Sequence, residues 1–459
     1  MQTSFVAIVV GALLLLVSDL ALAGTHTVSS IEELMVVANE DGHAITMTPG
    51  TYRVNDYLTP ERIAQMALVI EPVDGVVPKR PPMPVLTFGG SDNTFDFSGV
   101  EWVVDTEVYD ELPKTGYHRF VFVSGHRNQI NGLTLRYVGP NQGTNGSALT
   151  LWGDGNALTD VTLYVHGSSP YGYGDLLGKG KPGLAPLGKQ SGIMVGGDDS
   201  TLTRCRVISR AFGHCFYIQG GRNTLIQDCY AEGVTRSTND MLRERGGVAE
   251  RFGYRSVYEN RDGRFQITPG YRKSLTEDGF RTYSNGGPRN QSTGKTTLIN
   301  CTAINTRAGF EILGPENSGE KTRLIGCTAL GTERGFLLIY GNIITRRCRG
   351  DIVHGPLLYL WRGENADVEL EVVGEGSDYT VHALATISGA NHRVKLTRWA
   401  ADGDLPRLPI MLGYGMPAHA EMSTPILEEV AAGIELINET GCPVVTSSLA
   451  GGEADLPAP

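Results

Sequence analysis

The sequence predicts an all-β fold, a single right-handed parallel β-helix solenoid with a short N-terminal capping helix and two long loop insertions. Three observations carry that reading. Short half-repeats of alternating polarity recur along much of the chain. Where undisturbed they return after roughly 21 to 28 residues, the length of one coil of such a solenoid. Glycine supplies 59 of 459 residues while only 19% are charged, a mix suited to many short strands joined by tight turns.

One half-repeat reads Gly-apolar-x-apolar. It occurs at Gly192-Ile-Met-Val-Gly196, Cys215-Phe-Tyr-Ile-Gln-Gly220, Gly279-Phe-Arg-Thr-Tyr283, Gly309-Phe-Glu-Ile-Leu-Gly314 and Gly335-Phe-Leu-Leu. The other, Leu-Ile-x-x-Cys or Leu-Ile-x-Cys, occurs at Asn223 to Cys229, Thr297 to Ala303 and Arg323 to Ala329. Each is too short for a helix and alternates as a strand does. Phe120-Val-Phe-Val123 and Leu149-Thr-Leu-Trp152 fit the same scheme upstream, and the pattern weakens after Arg349. A coil cannot bury its apolar face alone, so the first one needs a cap. Ser30-Ile-Glu-Glu33 is a capping-box pattern opening a short amphipathic helix to about Asn39.

Residues 1–23 read as a secretory signal: Val6 to Val17 is almost wholly apolar, and Ala21-Leu22-Ala23 precedes Gly24 as a small-residue cleavage site. The expectation is a secreted or periplasmic protein with no membrane insertion after cleavage. The solenoid then occupies 24–446, and 447–459, rich in Gly, Ala and Pro, forms a loose tail. Cys205, Cys229, Cys301, Cys327 and Cys348 occupy similar places in successive repeats, which favours a ladder of buried free thiols over disulfides.

Two stretches break the rhythm, at about 166–190 (with Lys179, Lys181 and Lys189, read as solvated loop charges) and at about 235–277. Insertions in a solenoid leave the core untouched and tend to build the binding face. The chain carries a formal net charge of −11, which argues against nucleic acid as a partner. From Arg236 to Arg289, however, eleven basic residues face seven acidic ones. A local basic surface on an acidic body suits an acidic polymer.

Export signal, helical cap, Gly-x-apolar coils and the Asn/Cys ladder together resemble the right-handed parallel β-helix (pectate-lyase-like) superfamily of polysaccharide-active enzymes. The resemblance spans roughly residues 44 to 400 and is one of architecture. The Asp-Pro-His-Asp, Arg-His-Gly and paired-aspartate motifs of its epimerases, lyases and polygalacturonases are absent. It implies an acidic polysaccharide as partner; it fixes no cofactor but leaves calcium open as one, since several lyases of this fold use it to neutralise the substrate carboxylate. No zinc pattern appears among Cys and His.

Strand parity sorts the side chains of the first half-repeat. Phe216, Ile218, Phe280, Phe310 and Ile312 face inward. Tyr217, Gln219, Arg281, Tyr283 and Glu311 face outward, with Trp152 and Met194 on earlier coils, and His214 and Asp278 stand just before their strands. Arg236, Asp240, Arg243 and Arg245 come from the second insertion. Lyase chemistry needs a base for the proton next to a carboxylate and positive charge to stabilise the enolate-like intermediate. The expected assignment makes His214 the base, Tyr217 the acid or alternative base, and Arg281 and Arg243 the carboxylate neutralisers. Arg236 holds the chain, Trp152 stacks on a sugar ring, and Tyr283, Glu311, Asp240 and Arg245 complete the binding surface. Two alternatives stay open: a glycoside hydrolase or other sugar-modifying enzyme using a pair from Asp240, Asp278 and Glu311, and a non-catalytic glycan-binding protein.

Overall fold

Period-two alternation, interrupted every few residues by a turn former, gives strands that bury one face and hand the chain to the next coil. The computed structural model describes residues 24–114, 116–142, 145–178, 183–260, 262–315, 319–374, 382–398, 408–415 and 427–450. The proposed signal segment, Lys179 and Lys181 lie outside the described residues. Strands stack in parallel into a 14-stranded sheet and a 22-stranded sheet around a common core. The chain is a parallel β-helix. Its coils continue past Arg349, through strands Leu358–Glu364, Asp367–Val372 and Arg393–Arg398, to Val444–Thr446. Ser447, the first residue of the expected tail, is buried and donates its amide to the Leu412 carbonyl. Among the described residues no helix is long and apolar enough to cross a membrane.

A strand Gly24–Val28 precedes the cap and pairs with His43–Met47. The cap itself is the helix Ile31–Val37, whose Ser30 hydroxyl accepts from the Glu33 amide, while Glu33 accepts from the amide of Ser29. Ile31 and Leu34 turn inward and close the mouth of the core.

Inside the coils, Phe216, Phe280, Phe310 and Phe336 stack nearly parallel, with centroids 4.8, 5.1 and 5.0 Å apart. That spacing is the strand separation of a sheet, so one ring per rung fills the core without voids. All seven cysteines are free and buried. Each of the five ladder cysteines follows a corner residue with positive φ: Arg204, Asp228, Asn300, Gly326 and Arg347. The thiol is thus the small side chain that fits behind a left-handed corner.

The two insertions pack on each other rather than lying loose. Tyr173, Leu176 and Leu177 of the first share a small core with Met241, Ala249, Ile267 and Tyr271 of the second. Buried ion pairs anchor the second to the coils, from Lys273 to Glu333 and, at 3.4 Å, to Asp175 of the first.

Candidate active site

Register places one outward column along the 14-stranded sheet: Phe122, Thr150, Met194, Tyr217, Arg281, Glu311, Leu337 and Tyr359, one per rung. Two residues on, Trp152, Gln219 and Tyr283 form a second column. Gly196 stands between Trp152 and Gln219, where a Cβ would sit 3.3 Å from the indole and 3.1 Å from Pro288. Gly213 has a matching role, since a Cβ there would meet the Gln190 carbonyl oxygen at 2.3 Å. Only glycine lets the strand carrying His214 enter so close to its neighbour.

His214, Tyr217, Tyr283 and Arg281 converge as the parity argument requires. His214 Nε2 lies 2.7 Å from the Tyr283 hydroxyl and 3.4 Å from Glu277 Oε2. Its Nδ1 is 2.9 Å from Asp278 Oδ2, a close charge contact off the line of an ideal hydrogen bond. The imidazole is 7% exposed, so its two ring nitrogens are served by protein groups. Tyr217 accepts a hydrogen bond of 2.8 Å from Arg119, whose same nitrogen donates to Ser147 at 2.9 Å. Arg281 lies over the Tyr283 ring at 4.4 Å and pairs with Glu311 and, at 3.4 Å, with Asp278.

Beneath these groups sits an ion network. Arg307, 2% exposed, reaches Asp278 at 2.9 Å, Asp175 at 3.3 Å, Glu311 at 3.4 Å and Glu277 at 3.7 Å. Burial works against its charge, but Asp278, Glu277 and Asp175 hold the guanidinium well above its ordinary range. Burial likewise opposes ionisation of Asp278, yet Arg307, His214 and Arg281 keep its carboxyl well below the usual carboxylate range. Glu277, buried but next to Lys189, His214 and Arg307, is lowered to about 2. Tyr283 moves the other way. Burial pushes its phenol above the ordinary value against the pull of Arg281, with Glu277 and Asp278 adding to the rise.

The outer surface of this cluster is a cleft of about 240 Å³. Lys79, Arg80, Arg119, Trp152, Gln219 and Tyr283 line it together with the turn from Ser284 to Asn290. Among the described residues, three cations and no carboxylate line it. Arg119 Nε is buried without a hydrogen-bond partner among the described residues.

Several expected placements are corrected by this geometry. Arg243 and Asp240 pair with each other on the helix Thr238–Arg243, both with exposed side chains, because they stand three residues apart on one turn. Arg245 is spent on Glu250 and the Tyr254 hydroxyl, and Arg236 on Glu244 and the Gly172 carbonyl. These arginines are therefore paired within their own insertion, and Arg236 alone of the three also reaches the first insertion. Lys189, expected in solvent, is 2.8 Å from Glu277. Trp152 is 6% exposed and packs with Phe122, Met194 and Tyr217 beneath the cleft wall, so little of its face is open to a sugar. Glu311 is held by Arg281 and Arg307. Sequence reasoning missed Arg119, Arg307, Glu277, Lys79 and Arg80, and set Tyr283 among the binding groups alone.

Calcium fits poorly here. It takes six to eight oxygen ligands, several of them carboxylates, whereas Asp278, Glu277 and Glu311 are each committed to a cation. Among the described residues one group has donor atoms close enough for a metal, His26, Glu40 and His43. It belongs to the first coil rather than to the cleft.

No protein-family model matches the chain, and no curated protein matches its sequence. Solved structures do superpose on it. A PL6 alginate lyase in complex with a trisaccharide is 10% identical with a TM-score of 0.43, covering 94% of this chain and 88% of that one. The catalytic domain of a GH87 α-1,3-glucanase in complex with nigerose is 9% identical with a TM-score of 0.41, covering 94% and 67%. An exopolygalacturonase from Thermotoga maritima is 9% identical with a TM-score of 0.38, covering 81% of each chain.

Proposed function

We propose that the chain is a polysaccharide lyase that cleaves an acidic, uronate-containing glycan by β-elimination. The observation that carries this reading is a carboxylate–imidazole–phenol series, Asp278, His214 and Tyr283, ending at a cleft lined, among the described residues, by three cations and no carboxylate. An anionic ligand is favoured by that charge.

The proton path follows from the hydrogen bonds. Asp278 faces Nδ1 of His214, so in the neutral ring Nε2 is free to accept the Tyr283 proton. Because burial holds the phenol above its ordinary value, its proton passes to Nε2 as its oxygen takes the C5 proton of the uronate, which leaves a neutral phenol and an imidazolium flanked by Asp278 and Glu277. Arg119, Lys79 and Arg80 offset charge building on the substrate carboxylate. Electrons from the broken C–H bond form the C4–C5 double bond and expel the glycosidic oxygen. Tyr217 supplies the proton to that oxygen and regains one from water as the His214 imidazolium gives its proton up to water, which restores the starting state. The Tyr217 oxygen is held as acceptor by Arg119, which turns its O–H elsewhere. His214 thus acts through Tyr283 rather than on substrate.

A hydrolase needs one carboxylic acid kept protonated near neutrality. Asp278 and Glu277 are held ionised, which weighs against that alternative. The test is a panel of acidic glycans with absorbance of unsaturated products as the readout. Product absorbance that disappears in Tyr283→Phe is expected. New reducing ends without absorbance would instead promote the hydrolase.

A further inference from the structure

The exterior face of a parallel β-helix is a natural groove running along the solenoid, wide enough for a polymer to lie across many rungs. Here that groove is obstructed. Phe122 and Met194 point outward from the sheet, yet each is 1% exposed. Val69, from the irregular segment before the strand Pro82–Phe88, packs on them together with Trp152 and Tyr217.

That segment is strapped down across the face. Asn290 accepts from the Lys79 amide at 2.9 Å and donates to the Val77 carbonyl at 2.7 Å. Arg289 reaches Asp74 at 2.5 Å and, through two further hydrogen bonds, Asp154. The strap therefore joins residues 74–79 to the turn at 289–290, more than 200 positions later. On the other side of the cluster, Arg281 and Glu311 pair across the column, and Leu337, Ile339 and Tyr359 beyond them are buried in a cluster of their own. The cleft between, about 240 Å³, is smaller than the roughly 300–1,000 Å³ typical of pockets that enclose a drug-sized ligand.

From this closure we infer that the protein acts at the end of its glycan, with the Asp74–Arg289 and Asn290 strap as the stop against which the terminal sugars rest. The inference rests on the reading above that the cleft takes an acidic glycan. A chain lying along the face would have to displace Val69 and break the strap, whereas a chain end enters the pocket directly.

The experiment uses uronate oligomers of graded length and the intact protein. With active protein, only the smallest unsaturated products are expected from the earliest time points, while labelled oligomers shorten stepwise and polymer viscosity holds. With Tyr283→Phe, binding by titration calorimetry is expected at one protein per chain, whatever the chain length. Early mid-length products, or a binding stoichiometry that rises with length, would overturn the end-stop and leave the elimination reading intact. One protein per chain without unsaturated product from the active protein would overturn the elimination reading and leave the end-stop. No binding to any oligomer would overturn both. The double variant Arg289→Ala, Asn290→Ala unties the strap, and its products should broaden toward longer fragments. An unchanged product pattern in a folded double variant would remove the strap from the inference.

Discussion

The Tyr283 hydroxyl stands 2.7 Å from Nε2 of His214 although 69 residues separate them, because each belongs to an adjacent rung of the same sheet. The rungs of the β-helix bring that pair together. The cleft-lining member is the phenol, while the imidazole behind it is walled in by Glu277 and Asp278.

Tyr283→Phe removes one oxygen and keeps the ring that packs beside Tyr217 and under Arg281. The expected result is a fall in kcat of about 100-fold to 10,000-fold, the range of general acid–base catalysis. The thermal midpoint should move little. Steady-state kinetics beside a melting curve checks both, and a variant with near-normal kcat would remove Tyr283 from the proton path.

Arg119→Met and Arg243→Ala form a contrasting pair. Arg119 is buried, donates to Tyr217 and lines the cleft, whereas the Arg243 side chain is 75% exposed and, among the described residues, pairs with its helix neighbour alone. Exposed pairs of that kind contribute little. Turnover should collapse in the first variant and stay within about twofold in the second. The comparison is made at equal folded concentration, judged by circular dichroism. A large loss in Arg243→Ala would restore the insertion to the site.

How far the sequence reached can be judged from these residues. Parity at period two placed Phe216, Phe280 and Phe310 inside and Tyr217, Arg281 and Tyr283 outside, because a strand leaves no other choice once its apolar positions are known. Arg119 escaped because its contact with Tyr217 bridges 98 residues and crosses three rungs. Lys79 and Arg80 come from a segment with no repeat to register it. The arginines of the second insertion misled for a different reason. Net charge counts residues but not partners, and Arg236, Arg243 and Arg245 each had an acidic neighbour within the same insertion.

Loss of Arg307 tests the ion network. Arg307→Met leaves Asp278, Glu277 and Asp175 buried around an uncharged side chain. Breaking a buried pair by removing one partner costs about 3–5 kcal/mol. Denaturant unfolding should show a loss of that order. The double variant Arg307→Met, Asp278→Asn should recover part of it, since one uncompensated charge is then removed.

Acid sensitivity follows from the same carboxylates. Glu277 drops from 4.5 to about 2 in the folded protein, and Asp278 lies well below its ordinary 3.8. A carboxylate depressed by folding stabilises the native state above its unfolded value and loses that contribution as pH falls toward the folded value. Stability should therefore begin to decline near pH 4.5 and keep falling toward pH 2. Equilibrium unfolding at stepped pH reads this directly. A flat stability across the window would mean that the two groups keep similar proton affinities in both states.

The thiol ladder gives a probe of the solenoid itself. Burial pushes the thiols of Cys215 and Cys327 far above their ordinary value, and all seven cysteines are out of solvent. The thiolate is the reactive form, so an aromatic disulfide reagent should label no cysteine in the native protein at neutral pH. Labelling should appear only as coils open, at a rate set by unfolding, and should reach all seven in denaturant. Because the ladder cysteines sit on successive rungs, the order in which they become labelled at intermediate denaturant reports which coils open first. Cys348 should react before Cys229 if opening starts from the C-terminal coils, and after it if opening starts from the N-terminal ones. Simultaneous labelling of the whole ladder would instead mark the solenoid as one cooperative unit.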